Sequence, residues 1–173
     1  EIIDRPMKFG NQFKKPTAKE KRRHRSQKDR QNGKRLFTSA QIDLMLKHSD
    51  AQLKAMILLG VNGGFGNTDC ASLPMAALDL AKGVIEYERP KTAIQRVVPL
   101  WPETIAALRA VLAERPTPKK QEHRGLVFIT KYGNPWAMER FRQPKDGEDN
   151  ELKGTRQEAI GLEFRKLLKE KGL

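Results

Sequence analysis

The chain has 173 residues, a formal net charge of +13 and one cysteine. That length holds one ordinary domain with a real core, plus an arm. A single cysteine excludes an internal disulfide and a cysteine-based zinc site, and no apolar run approaches the roughly 18 residues of a membrane span. A cytoplasmic protein without a membrane partner is therefore expected, and Glu1, which is not an initiator methionine, is expected to follow further sequence.

The charge is uneven. Residues 1–35 hold 13 Lys/Arg against 4 Asp/Glu, and residues 36–173 hold 21 against 17. A basic arm of +9 on a domain of +4 is the electrostatic footprint of a polyanion binder. Within the arm, Lys19, Lys21, Arg22, Arg23 and Arg25 form its densest cluster. Large apolar residues almost stop after Phe13, so the arm cannot bury itself. A solvated tail is the alternative reading of the same charge run.

Order begins at Phe37. Thr38 and Gln41 have capping-box spacing and predict a first helix to about Lys47. Asp50 can cap a second helix whose Leu53, Met56, Ile57 and Gly60 share a face, with residues 63–64 as its glycine stop. Asn67 is the expected cap of a short helix ending before Pro74. Residues 84–88 and 94–98 have strand composition, and Pro90 marks the turn between them. Pro102 opens a further helix with an apolar stripe of Ile105, Leu108, Val111 and Leu112. Residues 126–129 read as a short buried strand and residues 143–154 as a loop. Thr155 and Glu158 read as a second capping box, starting a helix with Ile160, Phe164, Leu167 and Leu168 inward.

Residues 58–100 read LLGVNGGFGNTDCASLPMAALDLAKGVIEYERPKTAIQRVVPL. A buried helix, a glycine turn with an acidic residue (Asp69), and a hairpin with a basic tip ending in Val97-Val98-Pro99-Leu100 follow one another. This order resembles the opening of the catalytic domain of the tyrosine recombinases, the phage integrase family. The resemblance covers roughly residues 36–173. It implies an α+β fold, mostly helical with a small antiparallel sheet, forming the N-terminal part of that catalytic domain. Residues 1–35 would be the basic linker from a core-binding domain.

By the same resemblance, the full protein would break and rejoin double-stranded DNA through a phosphotyrosine intermediate, with neither metal nor nucleotide cofactor. It would self-associate on DNA and be nucleoid-associated. Lys91 would be the general acid that protonates the leaving 5′-oxygen, since neighbouring positive charge can lower a lysine's pKa. Lys91 and Thr92 would contact DNA beside the arm residues Lys19, Lys21, Arg22, Arg23 and Arg25.

The chain departs from the family pattern in three ways. Gly66 stands where the family carries its first catalytic arginine, a residue that grips non-bridging phosphate oxygens through paired hydrogen bonds. Backbone N–H groups of residues 64–68 could form a weak phosphate nest instead. None of His24, His48 and His123 has an arginine three places on, and neither Tyr87 nor Tyr132 sits where the nucleophile is expected. This chain alone is therefore expected to bind DNA without turnover. A transposon-derived DNA-binding module that has lost catalysis is the second reading, and an unrelated basic RNA- or ribosome-associated protein the third.

Overall fold

Thr17 and Glu20 start the first helix. In the computed structural model, which describes residues 16–33, 36–89, 93–142 and 153–173, the chain divides into two units, Glu1–Thr38 and Ser39–Leu173. The first contains α1 (Ala18–Asn32). Thr17 Oγ1 accepts the Glu20 N–H at 3.2 Å, and Glu20 Oε2 accepts the Thr17 N–H at 2.7 Å, so two end donors are satisfied reciprocally. Residues 18–31 are all exposed. The helix is polar all round, as a stretch without apolar periodicity must be.

In the second unit, α2 (Ser39–His48) starts one residue after Thr38, as expected. Asp50 Oδ1 accepts the Leu53 N–H at 2.7 Å and opens α3 (Ala51–Gly63), which buries Leu53, Ala55, Met56, Leu58 and Leu59. Gly64, at φ 64°, stops it by donating to the Leu59 and Gly60 carbonyls, a left-handed conformation that favours glycine. In α4 (Asn67–Ala71) the cap is Gly66 rather than Asn67, which is the first helical residue. The Asp69 carboxylate accepts the Gly66 N–H at 2.9 Å, the return half of a capping box, and glycine supplies no cap side chain of its own.

A short turn of 3₁₀ helix (Met75–Ala77) leads into β1 (Leu78–Asp79), β2 (Val84–Arg89) and β3 (Ile94–Pro99), an antiparallel sheet in the order β1-β2-β3. Ile85 pairs with Val98, Tyr87 with Arg96 and Arg89 with Ile94. The two-residue strand period turns Ile85 and Tyr87 into the core and leaves Glu86 and Glu88 exposed. Pro102 occupies the first turn of α5 (Pro102–Ala113), which buries Thr104, Ala107, Leu108 and Val111. Asn62 at the end of α3 fixes this junction. Its Nδ2 donates to the Pro99 carbonyl at 3.0 Å, and its Oδ1 accepts from Trp101 N at 2.8 Å and Thr104 Oγ1 at 3.1 Å.

Two expectations in the C-terminal third need correction. Val127, Phe128 and Ile129 are fully buried, but they form no strand; Leu126 and Ile129 make only isolated bridges, to Pro74 and Pro135. The segment threads the core singly, with the Val127 N–H on the Leu73 carbonyl. Thr155 caps no helix. It lies in β5 (Lys153–Glu158), which pairs antiparallel with β4 (Ala137–Arg142), opposite Arg140. The strand ladder takes up this backbone, and the helix, α6 (Ile160–Glu170), starts after Ala159. Of the expected loop, residues 143–152 lie outside the described residues.

The main core joins α3, α4, α5 and the inner face of the three-stranded sheet. A smaller cluster of Met45, Leu53 and Leu167 joins α2, α3 and α6. The architecture is α+β, mostly helical with a small antiparallel sheet.

Candidate nucleic-acid interface

In the first unit, the basic cluster read from sequence becomes a helical surface. Lys19, Lys21, Arg22, Arg23 and Arg25 all lie on α1 and are exposed. At about 1.5 Å per residue, 15 residues extend about 22 Å. That length spans several phosphates of one DNA strand. The helix was missed in the sequence because the charge run masked a capping box, Thr17 to Glu20, of the kind recognised at Thr38.

In the second unit, the chemistry gathers around the glycine turn, residues 63–66. A Cβ at Gly63 would come within 2.8 Å of Val98 Cγ1 and 2.9 Å of Phe65 Cε2, so this position must stay bare. Phe65 is buried, and its ring stacks on Tyr87 with centroids 5.8 Å apart. The Arg96 guanidinium also lies over the Phe65 ring, 5.4 Å from its centroid, with Nη2 donating to the Gly63 carbonyl. Arg96 thus ties β3 to the turn.

Asp69 lies beneath the turn, only 3% exposed. Its Oδ2 accepts the Gly66 N–H at 2.9 Å and faces Arg89 Nε, the last residue of β2, at 3.3 Å. The Arg89 contact is an ion pair whose angle is too poor for a hydrogen bond, and Nε is otherwise buried without a partner. The burial of Asp69 makes this charge compensation important, because an unpaired buried carboxylate is costly. Two neighbouring groups respond to the same carboxylate. Burial, followed by the Asp69 charge, pushes the Cys70 thiol up to about 12. Burial also raises the Tyr87 phenol, with smaller contributions from the Asp69 and Cys70 charges, although its hydrogen bond to Ser72 acts the other way.

Tyr87 is therefore a buried, protonated, hydrogen-bonded phenol and no nucleophile. Tyr132 is 65% exposed, with Lys131 Nζ 5.1 Å from its ring centroid. Trp136 packs in the core, whereas Trp101 is half exposed. Among the described residues, no three His, Cys, Asp or Glu side chains are placed to hold a metal. No helix among them is long and apolar enough to cross a membrane.

Lys91 and Thr92 lie outside the described residues, in the connection between the paired strands β2 and β3. The Ala93 N–H donates to the Arg89 carbonyl at 2.9 Å across that connection. The residues that sequence reading missed are Arg89 and Arg96. Their signal was available in the strand period: Ile85, Tyr87 and Arg89 alternate on one face, and Arg96 pairs with Tyr87 on the same face.

A buried helix, a glycine turn with a buried acid, and a hairpin packed over it define the front of an integrase catalytic fold. The phage integrase family profile matches residues 31–172, and the chain belongs to that family. Among solved structures, the Tn1549 transposon integrase in complex with circular intermediate DNA is similar at a TM-score of 0.54 and 18% identity, over 79% of this chain and 43% of that one. A substituted form of that integrase in complex with transposon right end DNA gives 0.50 at 17% identity, over 79% and 54%. XerA recombinase gives 0.50 at 17% identity, over 57% and 35%. These likenesses are of fold, and the chain spans between 35% and 54% of the length of the structures named. No curated protein matches the chain.

Proposed function

We propose that this chain is the DNA-binding front portion of a site-specific tyrosine recombinase. The intact protein breaks and rejoins double-stranded DNA through a phosphotyrosine intermediate, without metal or nucleotide. The observation that carries this reading is membership of the phage integrase family over residues 31–172. Its partner is duplex DNA, on which the intact protein self-associates, and its place is the cytoplasm, associated with the nucleoid. Residues 1–35 are the linker from a core-binding domain, and Lys19, Lys21, Arg22, Arg23 and Arg25 contact phosphates. Lys91 is the general acid and, with Thr92, a DNA contact. The chain alone binds without turnover.

The test is a salt titration of duplex binding by the 173-residue chain and by a version lacking residues 1–35. Deletion should weaken binding equally across sequences. It should also flatten the log–log salt slope by about 0.9 for each phosphate that the arm had neutralised. An unchanged slope would return the arm to a solvated tail, and an absence of salt-dependent binding by the whole chain would refute DNA as the partner.

A further inference from the structure

Three features meet at the glycine turn. First, its outer surface is bare: Gly64 and Gly66 are exposed and carry no side chain, which leaves room for a phosphodiester beside the turn. Second, a guanidinium is anchored beside it. Arg89 reaches the turn from β2, its Nε against Asp69 at 3.3 Å, while its side chain remains 38% exposed. Third, glycine at position 66 is not imposed by the backbone. Gly66 has φ −88° and ψ 174°, which any residue adopts, and a Cβ there would meet only Asp69 Oδ2, at an ordinary 3.6 Å.

From this geometry we propose that Arg89 is the phosphate-binding arginine of this site, delivering from the strand the guanidinium that Gly66 lacks in the turn. The proposal rests on the DNA-binding reading above. Asp69 is the positioning residue. It is held by the Gly66 N–H on one side and faces Arg89 on the other, so it fixes the guanidinium at the edge of the turn. Asp69 engages Nε, and the terminal guanidinium nitrogens are the groups that supply paired hydrogen bonds to two oxygens of one phosphate. Arg96 serves the site differently. Its Nη2 is committed to the Gly63 carbonyl and its plane to the Phe65 ring, so it shapes the turn and adds positive potential without being the ligand.

The experiment measures the salt slope of duplex binding with the 173-residue chain. Removing Arg89 alone would strand the buried Asp69 charge and could unfold the site. The test variant is therefore the neutral pair D69N/R89Q, whose amides can stay in place without the charges. Its slope should be shallower than wild type by about 0.9, the equivalent of one neutralised phosphate. Adding Gly66→Arg to the neutral pair should restore the slope, because it returns a guanidinium to the turn from the other wall. A neutral pair with the wild-type slope would overturn the proposal, as would a shallower slope that Gly66→Arg leaves unrestored. Either result, with wild type still binding steeply, leaves DNA binding by the chain intact. If wild type shows no salt-dependent binding, both readings fall together.

Discussion

The Tyr87 hydroxyl lies 2.8 Å from Ser72 Oγ, joining the middle of β2 to the residue that ends α4. Ser72 Oγ also donates to the Thr68 carbonyl at 2.7 Å. The bond between Tyr87 and Ser72, with the ring stacked on Phe65, fixes the strand that carries Arg89 two residues further on.

Tyr87→Phe should therefore cost about 1 kcal/mol, the net worth of one neutral hydrogen bond, since Ser72 keeps its bond to Thr68. Urea unfolding should show a lower midpoint with an unchanged slope. A midpoint equal to wild type would mean that the ring stack alone holds β2.

Burial of Cys70 predicts an alkaline weakness. Its thiol titrates at 9.0 when unfolded and about 12 when folded, so the folded state retains the proton more tightly. The contribution to stability is complete below pH 9.0 and is lost as pH rises toward 12, and the raised Tyr87 phenol acts in the same direction. Unfolding free energy should decline steadily above pH 9. Iodoacetamide at pH 8.5 should label Cys70 only as fast as the protein opens. Rapid labelling of the native protein would show an exposed thiolate.

Gln52 links α3 to the distant chain that precedes β4. Its Nε2 donates to the Ile129 carbonyl at 2.7 Å, and its Oε1 accepts from Trp136 Nε1 at 2.8 Å. Gln52→Ala leaves both groups unpaired, in a place where Ile129 and Trp136 are buried, at about 1–3 kcal/mol for each. The thermal midpoint should fall clearly. A variant as stable as wild type would mean that water replaces the glutamine at no cost.

Much of this architecture was legible in the sequence because local signals and tertiary packing agree. Asp50 as cap, Gly64 as stop, Pro102 as first-turn residue and the alternation in β2 each act within a few residues. The failures lie where distant partners decide. Thr155 has the residues of a capping box, but pairing with β4 claims its backbone. Residues 127–129 are apolar like a strand, but among the described residues no strand pairs with them. Asp69 was legible as the acidic residue after the turn. Its charge partner Arg89 was not, because the two are 20 positions apart and meet only when the sheet packs on α4.

The central claim is that this chain carries the front of a recombinase active site, and one measurement tests it most directly. If Lys91 is the proposed general acid, Lys91→Ala in the intact protein should slow cleavage of ordinary DNA by roughly 10²- to 10⁴-fold, the usual range for such catalysis. A substrate with a 5′-bridging sulfur has a leaving group that needs no proton, so the same variant should cleave it at close to the wild-type rate. If the alanine variant cleaves the sulfur substrate as slowly as the ordinary one, Lys91 is a DNA contact and not the acid. If the wild-type intact protein cleaves neither substrate, the account is contradicted, and a module that binds DNA without cutting it takes its place.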